Sequence, residues 1–219
     1  MRLRDHIGLS ERRQRQLSRV MQMLLVGFVL LGIERGNPGI IVNAALGFAV
    51  THLPAVLERD YQIPMDSALT LWITAAVFFH ALGTVGIPGT ATSFYRSVWW
   101  WDHLTHTLSS TIVAAAGYAT ARAFELHSDT VSLPGRFMFV FILLFVLAFG
   151  VFWEVIEFAV VLAADLLRMD AVLVQYGLDD TMLDLLFDTL GGVIVATWGT
   201  AHLTGVVGAI ADRIGRANA

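Results

Sequence analysis

Three strongly apolar stretches of the chain carry acidic residues or histidine at helical spacing: Asp102 and His106, then Glu154 and Glu157, then Asp180, Asp184 and Asp188. Residues three or four apart share a helix face, so each group can point one way together. Ionisable side chains inside a membrane are costly and mark a site by default. Carboxylates and an imidazole brought together from facing helices are the donors of a divalent-metal centre, with Glu-x-x-Glu here in place of the usual Glu-x-x-His. These residues are therefore candidate ligands for Mg²⁺, Mn²⁺, Ca²⁺ or Zn²⁺; oxygen donors favour the harder ions and His106 admits zinc. Gathered in one low-dielectric pocket, the carboxylates must be neutralised by a metal, by protons or by a nearby arginine. If metal-activated water is the chemistry, His106, Glu154 and Asp184 are the candidate catalytic residues.

Each group also has a plainer reading. Asp102 and Asp180 stand at helix starts and can serve as N-caps. Asp184, Asp188, Glu154 and Glu157 lie too deep for capping, and their alternative is a hydrogen-bonded lock between helices. His80 is read either as a lone buried histidine or as a member of the site. His103 is placed in solvent beside the membrane interface, and His52 and His202 near the inner ends of their spans. Arg96 is placed in an outer loop, where it can bind an anionic group or pair with the acidic rim.

The elements that must hold these residues follow from composition. Of the 219 residues, 56% are hydrophobic and only 15% charged, which places the chain among polytopic membrane proteins rather than soluble domains. Its apolar stretches are helical in length, so the expected fold is an all-α membrane bundle of about six transmembrane helices. The spans are read at about 19–33, 39–57, 65–85, 102–124, 137–167 and 180–204. They sit between a basic segment at 1–18 and a short tail at 208–219, with the transmembrane domain taken as 19–207. Trp99-Trp100-Trp101 suits the membrane interface. The fifth span exceeds the ~30 Å hydrocarbon core at ~1.5 Å per residue, so it must tilt, kink near Gly150 or project. Gly191, Gly192 and Gly199, and Gly205 with Gly208, follow the small-residue pattern of close helix packing.

All 14 basic residues are arginine, and placing both termini in the cytoplasm puts 11 of them inside and three (Arg35, Arg96, Arg168) outside. That asymmetry sets the orientation and implies a multi-pass protein of the cell membrane. The fourth and sixth spans then enter from outside at Asp102 and Asp180, while Glu154 and Glu157 fall in the outer half of the fifth. All the candidate ligands converge on the same membrane face.

Absence of cysteine removes disulfides, thiolate metal sites and cysteine nucleophiles. No phosphate-binding glycine loop, nucleophile elbow or His-Glu-x-x-His motif is present, and no basic stripe points to nucleic acid. The expected partners are membrane lipids and, for an enzyme, a lipid-linked or cell-envelope substrate. A proton-coupled transporter would use the same acids but, with six spans and no internal repeat, would need to oligomerise.

Phe94-Tyr95-Arg96 followed by Trp100-Trp101-Asp102-His103-Leu104-Thr105-His106-Thr107-Leu108-Ser109, then Phe152-Trp153-Glu154-Val155-Ile156-Glu157-Phe158, then Asp180-Thr181-Met182-Leu183-Asp184-Leu185-Leu186-Phe187-Asp188-Thr189-Leu190-Gly191, resemble the YjdF-like inner-membrane proteins. The resemblance covers most of residues 40 to 200. More distantly, the order Asp-x-x-x-His, a glutamate-bearing helix and Asp-x-x-x-Asp is similar to VanZ-like membrane proteins, although Asp188 stands where that pattern usually has Asn. The resemblance implies a small helical membrane protein whose family function is unassigned. The expected function is thus an outward-facing acidic and histidine site that binds a divalent cation or protons. Its alternatives are a metal-dependent membrane hydrolase, a proton-coupled transporter or a structural membrane subunit.

Overall fold

Hydrophobic runs punctuated by proline, glycine and polar caps produce an all-helical bundle. The structure, a computed structural model, describes residues 9–87, 92–173 and 175–217. Arg2 and Arg4, residues 88–91 of the third loop, and residues 218 and 219 of the tail lie outside these.

Helix α1 spans Glu11–Arg35; Ser10 caps its start, and Gly36 at φ 60° ends it in the left-handed conformation that glycine adopts freely. The helix therefore runs through the boundary expected near residue 19. Its basic first turns belong to the bundle, with Gln14 buried and accepting a 2.7 Å hydrogen bond from Ser67. Asn37 caps α2, Pro38–Val50, by accepting from the Ile40 amide. The expected second span is two helices rather than one, because α3, Leu53–Tyr61, restarts after a break at Thr51 and His52. Pro54 is the physical reason: it has no N–H for the Val50 carbonyl and its ring crowds that carbonyl.

Helix α4, Ser67–Thr84, is capped by Asp66, whose carboxylate accepts from the Ala68 and Leu69 amides. A single turn, α5 (Phe94–Ser97), precedes α6, Trp101–His127. Helix α7, Gly135–Leu167, runs unbroken past Gly150 and at ~1.5 Å per residue is roughly 50 Å long. Helix α8 is Leu178–Thr197, and a short 3-10 turn leads to α9, Thr204–Ala217. The end of the chain is therefore a packed helix: Leu203 and Val207 are buried against Ala119 and Ala123 of α6.

Two sub-bundles share the work of positioning. Helices α1, α2 and α4 meet around Leu25, Ala44, Phe78 and Ala81, while α6, α7 and α8 meet around Ala114, Met138, Ile142, Val146 and Val195. Helices α6 and α8 approach closely at Gly191, where a side chain would run into the Ser110 hydroxyl, the Thr107 carbonyl and the Thr111 amide of α6. Gly192 lies against Leu143 and Val146 on α7, as the small-residue reading expected. Gly208 instead faces open space, so the pattern does not extend to it.

Four stretches are long and apolar enough to cross a membrane: Glu11–Arg35, Pro38–Tyr61, Ser67–Thr84 and Gly135–Leu167. Helix α8 misses that criterion because of Asp180, Asp184 and Asp188, and α6 because of its many serine, threonine and other polar residues. On α8 Asp184 and Asp188 face inward, while Leu183, Leu186 and Leu190 face out. The tryptophan group divides in the same way. Trp99 is 82% exposed, whereas Trp101 is buried and donates to the Phe79 carbonyl.

Candidate metal centre

Helical spacing places Asp102 and His106 on the inward face of α6, and Asp184 and Asp188 on the inward face of α8. The close α6–α8 contact at Gly191 then carries the two faces together. His106 Nε2 lies 3.6 Å from Asp102 Oδ1 and 3.8 Å from Asp184 Oδ1, and its Nδ1 lies 3.3 Å from Asp188 Oδ1. Donor atoms of Asp102, His106 and Asp184 all fall within 4.8 Å of one another. Two donors held by one metal at ~2.0–2.2 Å each stand no more than ~4.4 Å apart, so both His106 distances fit a shared ion.

Asp184 is almost fully buried, and its Oδ1 has no hydrogen-bond partner. A buried carboxylate oxygen left unpaired is costly, and native proteins rarely tolerate one without a ligand or ion. Asp188 does different work. With a metal on Nε2, the His106 Nδ1–H donates to Asp188, the carboxylate–histidine pair that orients metal-bound imidazoles. Gly150 on α7 makes room for it, because a Cβ there would sit 2.5 Å from Asp188 Oδ2.

The other sequence candidates are near but bonded elsewhere. Glu154 is buried; its Oε2 accepts from Thr181 at 2.6 Å and Gln175 at 3.3 Å, while Oε1 is unpartnered. Glu157 accepts from its own helix neighbour Trp153 at 3.0 Å and lines a cavity shared with Asp102 and His106. Neither Asp180 nor Asp102 is the N-cap expected of it: Gly177 and Trp100 hold those positions, and Asp180, in the first turn of α8, instead accepts from the Tyr176 amide of the preceding loop at 3.0 Å.

His80 is engaged on both ring nitrogens. The amide nitrogen of Asn43 donates to the Gly39 and Val172 carbonyls, leaving its oxygen to accept from His80 Nε2 at 3.1 Å. Nδ1 then accepts from the Tyr95 hydroxyl at 2.9 Å. This histidine ties α2, α4 and α5 together and has no free nitrogen for a metal. His103 is not simply solvated: its ring stacks on Phe187 with centroids 4.2 Å apart.

Beside the centre lies a polar chamber of about 380 Å³, lined by Asp102, His106 and Glu157 together with Arg35 and Arg96. Among the described residues neither arginine has a carboxylate partner; Arg96 lies over the Tyr176 ring at 5.8 Å.

Residues 17–205 match the family described as predicted membrane protein DUF2238, nearly the full length of the bundle. The chain belongs to that family. DUF2238 is the YjdF-like family, so the likeness read from the three motifs is borne out, while the more distant VanZ-like similarity is not shown. A DUF2238 chain is also similar to a Thermotoga maritima protein described as uncharacterized, 29% identical over 191 residues, covering 84% of this chain and 88% of the relative. No solved structure matches it.

Sequence reading missed Thr181, Gln175, Asn43 and Tyr95 as supports. Thr181 had a signal, since it falls three residues before Asp184 and seven before Asp188 on the same α8 face. Gln175 and Asn43 had none, because each is recruited by a loop or by a distant helix.

Proposed function

We propose that this protein is a multi-pass membrane protein whose outward-facing bundle end holds one divalent cation, with Asp102, His106 and Asp184 as ligands and Asp188 orienting His106. The observation that carries the reading is His106, which has two carboxylate oxygens at Nε2 and a third at Nδ1, with the buried Asp184 Oδ1 otherwise unpartnered. Two carboxylates and one imidazole suit Mn²⁺ or Zn²⁺ better than the all-oxygen ions. Three protein ligands leave a position open toward the polar chamber, which is the arrangement of a site that activates water or polarises a bound group. Reaction on a lipid-linked or cell-envelope substrate is the activity that such an open metal would support.

In this reading α6 and α8 complete six spans with both termini in the cytoplasm. The arginine distribution supports that orientation, and the outward leucines of α8 support its lying in the membrane.

A second reading replaces the metal with protons. It is favoured by the same geometry, since His106 flanked by Asp102, Asp184 and Asp188 can pass a proton among them. Metal analysis of protein purified in detergent without chelator separates the two. About one Mn²⁺ or Zn²⁺ per chain in the wild type, lost in Asp184→Asn and retained in Asp180→Asn, upholds the metal reading. Folded protein that neither retains nor rebinds a metal overturns it in favour of protons.

A further inference from the structure

The polar chamber is not alone. A second cavity of about 380 Å³ adjoins it on the far side of Asn43, His80 and His106, which line both. The two differ in chemistry. The first holds both arginines with Asp102 and Glu157, whereas the second, which Asp188 reaches at one end, runs between α2 and α4 on one side and α6 and α7 on the other, walled by Leu46, Val50, Val77, Val113, Val146 and Phe149. Its mouth opens outward, with Leu46 61% and Phe149 49% exposed. In a bundle within a membrane, that mouth faces lipid chains.

A charged chamber joined to an apolar crevice matches an amphiphile, and the chamber's charges say which kind. Arg35 and Arg96 have no carboxylate partner among the described residues and line the same chamber as Asp102 and His106 of the proposed metal site. A phosphate is the group that bridges arginines and a divalent ion: it accepts charge-assisted hydrogen bonds from guanidinium and completes a metal's coordination shell. The apolar crevice beside it is lined to take a hydrocarbon chain.

We propose that the two cavities together bind a membrane lipid carrying a phosphate headgroup, with the phosphate between the arginine pair and the metal and one hydrocarbon chain in the α2–α7 crevice. The metal-facing side of this proposal rests on the reading above. It makes the bound lipid the substrate class or cargo of the same centre, and it assigns Arg35 and Arg96 as headgroup residues.

The test uses full-length protein in detergent and three probes: dioctanoyl phosphatidic acid, inorganic phosphate and dioctanoylglycerol. Binding is measured by calorimetry with Mn²⁺ and again with chelator. The lipid phosphate is expected to bind at least tenfold tighter than either of the other probes. Arg35→Gln with Arg96→Gln should lower that affinity tenfold or more. Leu46→Trp, a change at an exposed position that narrows the crevice mouth, should weaken the lipid phosphate and leave inorganic phosphate unchanged.

Equal affinity for the lipid phosphate and inorganic phosphate would overturn the proposal in favour of a free-anion site. Equal affinity for the lipid phosphate and the neutral lipid would overturn it in favour of unspecific chain binding. Insensitivity to both variants would overturn it as well. Mn²⁺ binding without lipid discrimination leaves the metal reading standing and rejects the lipid. Arginine-dependent lipid binding that is the same with and without Mn²⁺ upholds the lipid and rejects the metal.

Discussion

Replacing Gly150 with alanine pits two effects of opposite sign against each other. In an exposed helix interior the change favours the folded state by about 0.5–1 kcal/mol, because alanine loses less backbone freedom than glycine. Here the new methyl would sit 2.5 Å from Asp188 Oδ2 and 3.0 Å from Leu185 Cδ2. Ordinary contact begins near 3.4 Å, so the carboxylate must retreat by about 0.9 Å. Its bond to His106 Nδ1 is already long at 3.3 Å, and a shift of that size takes it beyond hydrogen-bond range. Loss of such an orienting partner typically costs ~10–100-fold in metal affinity, equivalent to ~1.4–2.8 kcal/mol.

Calorimetric titration of chelated, detergent-purified G150A with Mn²⁺ or Zn²⁺ should therefore show a dissociation constant raised by about one to two orders of magnitude. Gly27→Ala is the control, since nothing lies within 4 Å of a Cβ at that position on α1. It should leave metal affinity unchanged. Wild-type affinity in a folded G150A protein would refute the role given to Asp188, as would equal losses in both variants.

Three further outcomes follow from the same geometry. Asp184→Asn should abolish metal-dependent stabilisation while leaving the melting temperature of the metal-free protein equal or higher, because it removes a buried carboxylate whose Oδ1 is unpartnered; a fall of several degrees would instead mark Asp184 as part of a structural lock. Gly191→Val should lower stability by about 1–3 kcal/mol, read by thermal unfolding, because the new side chain meets the Thr107 carbonyl and Thr111 amide of the α6 backbone as well as the Ser110 hydroxyl, whereas Gly208→Ala should cost nothing. Single cysteines placed at Arg168 and at Arg213 of this cysteine-free chain should label differently with a membrane-impermeant maleimide, Arg168→Cys from outside and Arg213→Cys only after permeabilisation; the reverse pattern would invert the topology.

Much of the site was legible because helical periodicity is a local property. The four-residue spacing of Asp102 with His106, and of Asp184 with Asp188, puts each pair on one face whatever the rest of the chain does. Roles were not legible, because they depend on how helices rotate against one another. Asp188 and Asp184 read alike in sequence, yet the one faces Nδ1 and the other Nε2. Glu154 and Glu157 read as a pair, but α8 and its preceding loop draw Glu154 toward Thr181 and Gln175, while Trp153 on the same helix takes Glu157. His80 could not be resolved from sequence, since its partners Asn43 and Tyr95 arrive from α2 and α5. Hydropathy located the helices well and missed the break before Pro54, because the apolar run of α2 continues across it through Leu53, Ala55, Val56 and Leu57.

The polar faces of α6 and α8 also set an order on the making of this protein. Asp102 stands in the first turn of α6 and His106 one turn further on, and both leave the ribosome before α8, which carries Asp184 and Asp188. Helix α7, the longest apolar segment of the chain, follows α6 and inserts on its own merits. Only when α8 arrives does His106 gain the two aspartates opposite it. A chain stopped short of Leu178 would hold His106 without Asp184 or Asp188. The centre is thus completed last, by the arrival of α8, and any truncation before that helix removes half of its donors.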